Sequence, residues 1–397
     1  MSHPNENRVG LVPIQPFDLV AVLALLAVFS LTTGYSYPAI AFNMDARGYS
    51  AGLIGAQAAC AGLGILATAA LMPLLAQRFG TWRLALVALY GTVAAITAFG
   101  LTENLALWFL LRFVLGAMVS ILFVVSEIWI NQLTPDALRG RIIGTYAATN
   151  AGMFAVGPLL VPVIGYSGLS SFGVMAAIVG VMGLSLIRLR SIARPLEPAR
   201  FAASLQVVVA IPVLLFAVIA FGFFDGATLA LWVVYAFHHG LGETSAALSL
   251  SAIIMGNIVL QFPIGWLADR MNRRHLLAVL AAAAFCGAVF LPLVELGSWW
   301  SLLYLVIWGA AAFGVYTLSL TLIGQHLMDI QLVAATAAFG MAGGVGALAG
   351  SWATGFLMDV FGPLMLPMTV ALVYGLLAVA ALVVPPIRQS SATLARG

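Results

Sequence analysis

The chain contains no lysine, and all sixteen basic residues among its 397 are arginine. Chemistry that needs a lysine amine, such as a Schiff base, a pyridoxal phosphate anchor or the lysine of a phosphate-binding loop, is therefore excluded. Charge of either sign is scarce: 7% of residues, against roughly 25% in an ordinary soluble domain. Only two cysteines occur, Cys60 and Cys286, far apart and both inside apolar runs. They define neither a disulfide framework nor a metal-ligand spacing. With 63% hydrophobic residues, the chain has too little polar surface to cover a water-soluble fold, so a lipid bilayer is its expected solvent. The N-terminal stretch holds Glu6, Arg8 and Asp18 and shows no small-residue cleavage site, so the apolar run that follows is read as a retained first span.

Long hydrophobic runs fill most of the rest. They lie near residues 17–42, 51–75, 82–101, 104–132, 141–165, 168–187, 207–237, 244–267, 275–294, 299–323, 332–356 and 362–384, twelve in all. A membrane-crossing helix takes about 20 apolar residues, whereas a barrel strand takes about 10 with alternating polarity. The runs are therefore predicted to be helices. If the N-terminus is placed in the cytoplasm, fourteen arginines fall on that side of the membrane, Arg47 alone falls on the other, and Arg112 lies within a span. The positive-inside rule then puts both termini in the cytoplasm. Scattered in short loops, these arginines form no patch for nucleic acid.

A polar, arginine-rich connection containing Pro195 and Pro198 divides the chain. The expected units are an N-terminal six-helix half (1–190), a cytoplasmic central loop (191–206) and a C-terminal six-helix half (207–397). Landmarks recur between the halves at a constant offset of 192 or 193 residues: Gln77-Arg78 with Asp269-Arg270, Gly34 with Gly226, Gly116 with Gly309, and Gly157 with Gly350. Four landmarks in order at one spacing point to internal duplication.

The segment Gly265 to Arg274, GWLADRMNRR, lies between spans 8 and 9. It resembles the G-x-x-x-D-R-x-G-R-R signature of the major facilitator superfamily, with Asn272 at the second glycine. A degenerate copy after span 2 keeps Arg78, Gly80 and Arg83 but has Pro73 and Gln77 in place of the glycine and the aspartate. Arg112 to Gly116 looks like the superfamily's R-x-x-x-G element. Within the superfamily, Leu111 to Tyr146, with Glu127 before Arg139-Gly140-Arg141, and Gln261 to Arg270 are similar to the YcaD-like bacterial branch. The resemblance implies an all-α integral membrane fold of twelve transmembrane helices in two six-helix pseudo-symmetric halves. It also implies transport by alternating access, with a central cavity lined mainly by spans 1, 4, 7 and 10.

On those spans the aromatics Tyr35, Tyr37, Trp232, Tyr235, Trp308 and Tyr316 are substrate-binding candidates, because they offer flat contact area with a polar handle. Asn150 joins them as a hydrogen-bonding group. Charges within spans are costly and need a reason. Arg112 is read either as a cavity cation facing the solute or as a structural arginine tying spans together. Asp225, between Gly222 and Gly226, and Glu127 are the proton-coupling candidates, since a carboxyl group away from water can exchange a proton during a transport cycle. Glu127 is also placed to act in a gate near Arg78, Arg139 or Arg141. The loop residues Arg78, Asp269, Arg270, Arg273 and Arg274 are expected to gate the cycle through contacts with helix ends.

No nucleotide-binding loop, metal cluster or nucleophile-base pattern is present, so neither an enzyme nor a cofactor is expected. The expected partners are a small-molecule solute, the bilayer and a proton as coupling ion, with the protein acting as a monomer. Drug-proton exporters of the superfamily carry G-x-x-x-G-P-x-x-G-G on span 5. Here Met153 replaces the first glycine and Val161-Pro162 the last pair, leaving Gly157-Pro158. That departure weakens the efflux reading, and the few buried charges, the aromatic-rich expected cavity and one outer-facing arginine fit uptake of a planar nutrient such as riboflavin; the alternative is a proton-coupled multidrug or metabolite efflux antiporter.

Overall fold

In the computed structural model the described residues are 16–134, 138–190, 211–259, 261–326 and 329–383, and they are helical almost throughout. The first six helices are α1 (Pro16–Ala46), α2 (Ala51–Phe79), α3 (Thr81–Leu101), α4 (Leu105–Leu133), α5 (Arg139–Ile164) and α6 (Gly168–Gly183), the last extended by the one-turn helix Leu186–Leu189. After the interval that holds the expected central loop, outside the described residues, come α7 (Pro212–His238), α8 in two pieces (Glu243–Val259 and Gln261–Arg270), α9 (Arg273–Phe290), α10 (Trp299–His326), α11 (Asp329–Phe361) and α12 (Met365–Val383). Ten of these helices are long and apolar enough on their own to cross a membrane. The described first piece of α8 has 17 residues, and α11 has 33.

Uniformly apolar helices have no wet face to orient them, so shape decides how they pack. The glycines of the repeat supply that shape. Gly34 of α1 and Gly157 of α5 touch, and a Cβ on either would collide with the other helix's backbone. Their counterparts Gly226 of α7 and Gly350 of α11 pack on the backbone of each other's helix in the same way. A further set holds α2 to α4 and α8 to α10. Gly64 meets Phe113 and Gly116 meets Ala61, while Gly256, 192 residues after Gly64, meets Val306, and Gly309 meets Ile253. Small residues at a crossing let two backbones approach closely, and in lipid, where burial of apolar surface drives little, that contact is the main source of association.

Between the helices, caps do the local work. Ser50 and Asn104 accept from the amides of Leu53 and Leu107 at the starts of α2 and α4, at 3.3 and 3.1 Å. Gly80, at φ 78°, makes the left-handed turn from α2 into α3.

The two ends of the bundle differ. The arginine-bearing loops define one, called here the arginine end. At the opposite, far end the halves are joined. Phe42 of α1 meets Phe237 of α7 edge-on with centroids 5.1 Å apart, Ser251 Oγ of α8 donates to Ala155 O of α5 at 2.8 Å, and Gly55 of α2 abuts Ser351 of α11. At the arginine end the beginning of α5 is uncovered. Gly144, Thr145, Ala147 and Ala148 are exposed, and among the described residues nothing faces Gly140, Gly144 or Gly152. Among the described residues the halves thus meet at the far end and stand apart at the arginine end.

Candidate functional site

Two helical faces meet across the middle of the bundle. On α1, Phe29, Thr33 and Tyr37 follow one another at four-residue spacing and are all partly accessible, which puts them on a single stripe. On α4, Phe123 and Glu127 do the same, with Asn131 a turn further on, where its amide donates to Glu127 O at 2.8 Å. The opposite wall carries Phe221 and Asp225 of α7 and Tyr316 of α10, again partly accessible. Tyr37 lies within electrostatic range of Asp225, and Glu127 within range of Tyr316, so the two walls face each other.

The walls share a plan. Phe29 and Phe123 pack with ring centroids 4.8 Å apart, and Phe221 and Tyr316 stack at 4.5 Å with an interplanar angle of 26°. Phe221 stands 192 residues after Phe29, and Tyr316 stands 193 after Phe123, so the second pair is the repeat-related copy of the first. Composition and span assignment singled out Tyr37 and Tyr316 but missed Phe29, Phe123 and Phe221. The offset that aligned the glycines would have found them.

Arg112 is on the first wall but not at its surface. It is 1% exposed; Nη1 donates to Ser36 Oγ at 3.1 Å, and the guanidinium lies 3.9 Å from the Tyr37 ring centroid. The neighbouring void, lined by Thr33, Ser36, Tyr37 and Arg112 among others, holds about 10 Å³, whereas a small-molecule pocket takes a few hundred. Of the two readings of Arg112, the geometry in this state is the structural one. A buried guanidinium stacked on an aromatic face holds α4 against α1.

Asp225 and Glu127 differ from it. Asp225 is half-buried and Glu127 exposed, and among the described residues neither forms an ion pair or side-chain hydrogen bond. Glu127 therefore does not engage Arg78, Arg139 or Arg141 here. Asn150 is partly accessible, and its Oδ1 accepts from Ser30 Oγ at 2.7 Å.

Four of the sequence-derived aromatics are packed away from the cleft. Tyr35 donates to Gly165 O at 2.8 Å and is 1% exposed. The indoles of Trp232 and Trp308, at 0% and 2% exposure, donate to Ser249 Oγ and Ala284 O. Tyr235 is sealed beside Trp232 and His239. Their aromatic bulk fills helix-helix space, which is where uniformly apolar spans send large rings.

The loop arginines cap helix ends. Arg273 Nε donates to Ala268 O at 3.0 Å, and Arg274 reaches the end of α12 at Ala381 O (2.7 Å) and Leu382 O (3.2 Å). Carbonyls at a helix C-terminus carry partial negative charge, so cations settle there. Arg270 lies over the Trp266 ring at 3.7 Å and Arg78 over Phe79 at 5.7 Å. The side chain of Asp269 falls outside the described residues.

Residues 22–331 match the model of the Major Facilitator Superfamily. The chain is 25% identical over 358 residues to the uncharacterized MFS-type transporter YfkF of Bacillus subtilis (strain 168), covering 87% of this chain and 90% of that protein. It is also 25% identical over 335 residues to the uncharacterized MFS-type transporter YcaD of Salmonella arizonae, covering 84% and 76%. The crystal structure of the nucleoside transporter NupG superposes with a TM-score of 0.74 over 92% of this chain and 98% of that one; at 12% identity this likeness concerns the fold. Twelve helices, a repeat that packs as it reads and a family match across most of the chain place this protein in the major facilitator superfamily, among the transporters and not the enzymes.

Proposed function

We propose that the protein carries a small planar organic solute into the cell by alternating access, with Asp225 as the group that takes up and releases the coupling proton. The observation that carries this reading is the cleft with its two repeat-related aromatic pairs, Phe29–Phe123 and Phe221–Tyr316. Flat rings on both walls suit a flat solute, which gains stacking from either side. Around them Thr33, Asn150, Glu127 and Asp225 offer polar atoms for its edges. A planar vitamin such as riboflavin is the solute to test first, and the fold likeness to a nucleoside transporter adds nucleosides as a second planar class. On this reading the protein sits in the bacterial inner membrane with the arginine end and both termini on the cytoplasmic side, and the structure is the inward-open state.

One observation favours the second reading, efflux in exchange for protons. Among the described residues the carboxylates on the cleft walls, Asp225 and Glu127, have no cation beside them there, since Arg112 is sealed, so the cleft suits a cationic aromatic solute as well as a neutral one. Purified protein in liposomes separates the two. With the arginine end enclosed and the outside acidic, uptake predicts inward accumulation of a labelled planar nutrient. Accumulation of cationic dyes only when the arginine end faces the acid-free bath would instead establish export.

A further inference from the structure

Among the described residues, two hydrogen bonds between side chains cross from one half to the other at the far end, one at each seam, beside the Ser251–Ala155 bond to the backbone. At the α2–α11 seam Ser50 Oγ donates to Asp359 Oδ2 at 2.7 Å. At the α5–α8 seam Tyr166 Oη donates to Glu243 Oε1, also at 2.7 Å. The four positions are not independent. Glu243 stands 193 residues after Ser50, each at the start of the second helix of its half, and Asp359 stands 193 after Tyr166, each at or just past the end of the fifth helix. Each bond therefore joins the same two repeat positions, taken from opposite halves, with hydroxyl and carboxylate exchanged between them.

We propose that these two bonds are paired latches that hold the far end shut, and that outward opening requires both to break. The local geometry supports a built contact at both seams. Gly52 leaves the space that the Asp359 carboxylate occupies, since a Cβ there would collide with it. Ser50 is fixed as the N-cap of α2, accepting from Leu53 N, and its carboxylate partner is shared with a pocket of about 260 Å³ that also holds Asp45, Tyr49 and His238. At the other seam Tyr166 is held by its backbone oxygen, which accepts from Asn43 Nδ2 at 2.8 Å, and by stacking on Phe42 at 5.4 Å. The hydrogen bond to Glu243, ahead of burial, raises the pKa of the Tyr166 hydroxyl above its ordinary value, so it remains a donor at neutral pH. Both latches face water, so each biases the closed state moderately, and together they set how often the far end opens.

Ser251 reports that opening. It is 5% exposed and buried in the α5–α8 seam against Ala155. In full-length protein with Cys60→Ala and Cys286→Ala, the labelling rate of Ser251→Cys by a membrane-impermeant maleimide from the far side measures the open population. Asp359→Ser, Ser50→Asp and Tyr166→Phe should each raise that rate about threefold, and Asp359→Ser with Tyr166→Phe about tenfold. The exchange variant Ser50→Asp/Asp359→Ser gives the first seam the arrangement of the second and keeps a good N-cap on α2; it should restore the slow rate. Unchanged labelling in the Asp359→Ser/Tyr166→Phe variant overturns the proposal, and so does an exchange variant that labels as fast as its single parents. If the exchange variant does not purify as a monodisperse protein, Tyr166→Phe, which removes one oxygen atom, carries the test alone.

Discussion

In the first half, Phe29 packs on Phe123, and the next turn of α1 presents Thr33; in the second, Phe221 stacks on Tyr316, and the next turn of α7 presents Asp225. Thr33 and Asp225 are 192 residues apart and so are the same position of the repeat. A duplicated scaffold has been kept for shape and altered for charge. The repeated geometry gives both walls the same flat apolar contact, while at this repeat position one wall carries a hydroxyl and the other a carboxylate. The cation makes the opposite contrast. Arg112 belongs to the first half, where the repeat position in the second half is Leu305, and it is folded away beneath Tyr37. Charge is thus exposed where the proposed cycle needs it and buried where the wall needs bracing.

The largest break in that comparison should come from making the walls alike. Asp225→Asn removes the one ionisable group at this repeat position, and pH-driven accumulation is expected to fall at least thirtyfold, about 2 kcal/mol, while solute binding survives. Unchanged accumulation would remove Asp225 from coupling. Bracing comes next. Arg112→Ala deletes the bond to Ser36 and the stack on Tyr37 and should cost about 2–3 kcal/mol in thermal unfolding of detergent-solubilised protein; equal melting curves would contradict the structural role.

The glycine crossings should behave as copies. Gly64→Ala and Gly256→Ala each push a Cβ into the facing helix, and both should destabilise by about 1–3 kcal/mol. A cost confined to one half would show that the repeat packs differently from the way it reads. The two aromatic pairs give the finest comparison. Phe29→Ala and Phe221→Ala should each raise KM about tenfold, close to 1.4 kcal/mol, as expected for one lost stack. A large effect at one position and none at the other would place the solute against a single wall.

Much of the fold could be read from residues 17–384 because length, apolarity and arginine placement each obey a strong constraint in a bilayer. The glycine landmarks carried further still, since Gly34, Gly116, Gly157 and their copies turn out to be the crossing points themselves. The site was less legible. Tyr37, Tyr316, Asn150, Asp225 and Glu127 reach the cleft, but Tyr35, Trp232, Tyr235 and Trp308 do not. A helix that is apolar on every side carries no periodic signal for which face meets a cavity, a neighbour or lipid. Only the charged residues and the repeat break that degeneracy, and Arg112 shows that even a charge can point into packing.

Counterflow in liposomes tests the central claim, that the repeat-related aromatic pairs form one clamp for a planar solute. Vesicles loaded with unlabelled riboflavin, nucleoside or hexose are diluted into the labelled compound, for the wild type and for Phe29→Ala and Phe221→Ala. The expected result is counterflow of a planar solute and not of the hexose, with both variants weakened to a similar degree. Counterflow of the hexose alone, or of a planar solute at wild-type KM in both variants, would contradict it.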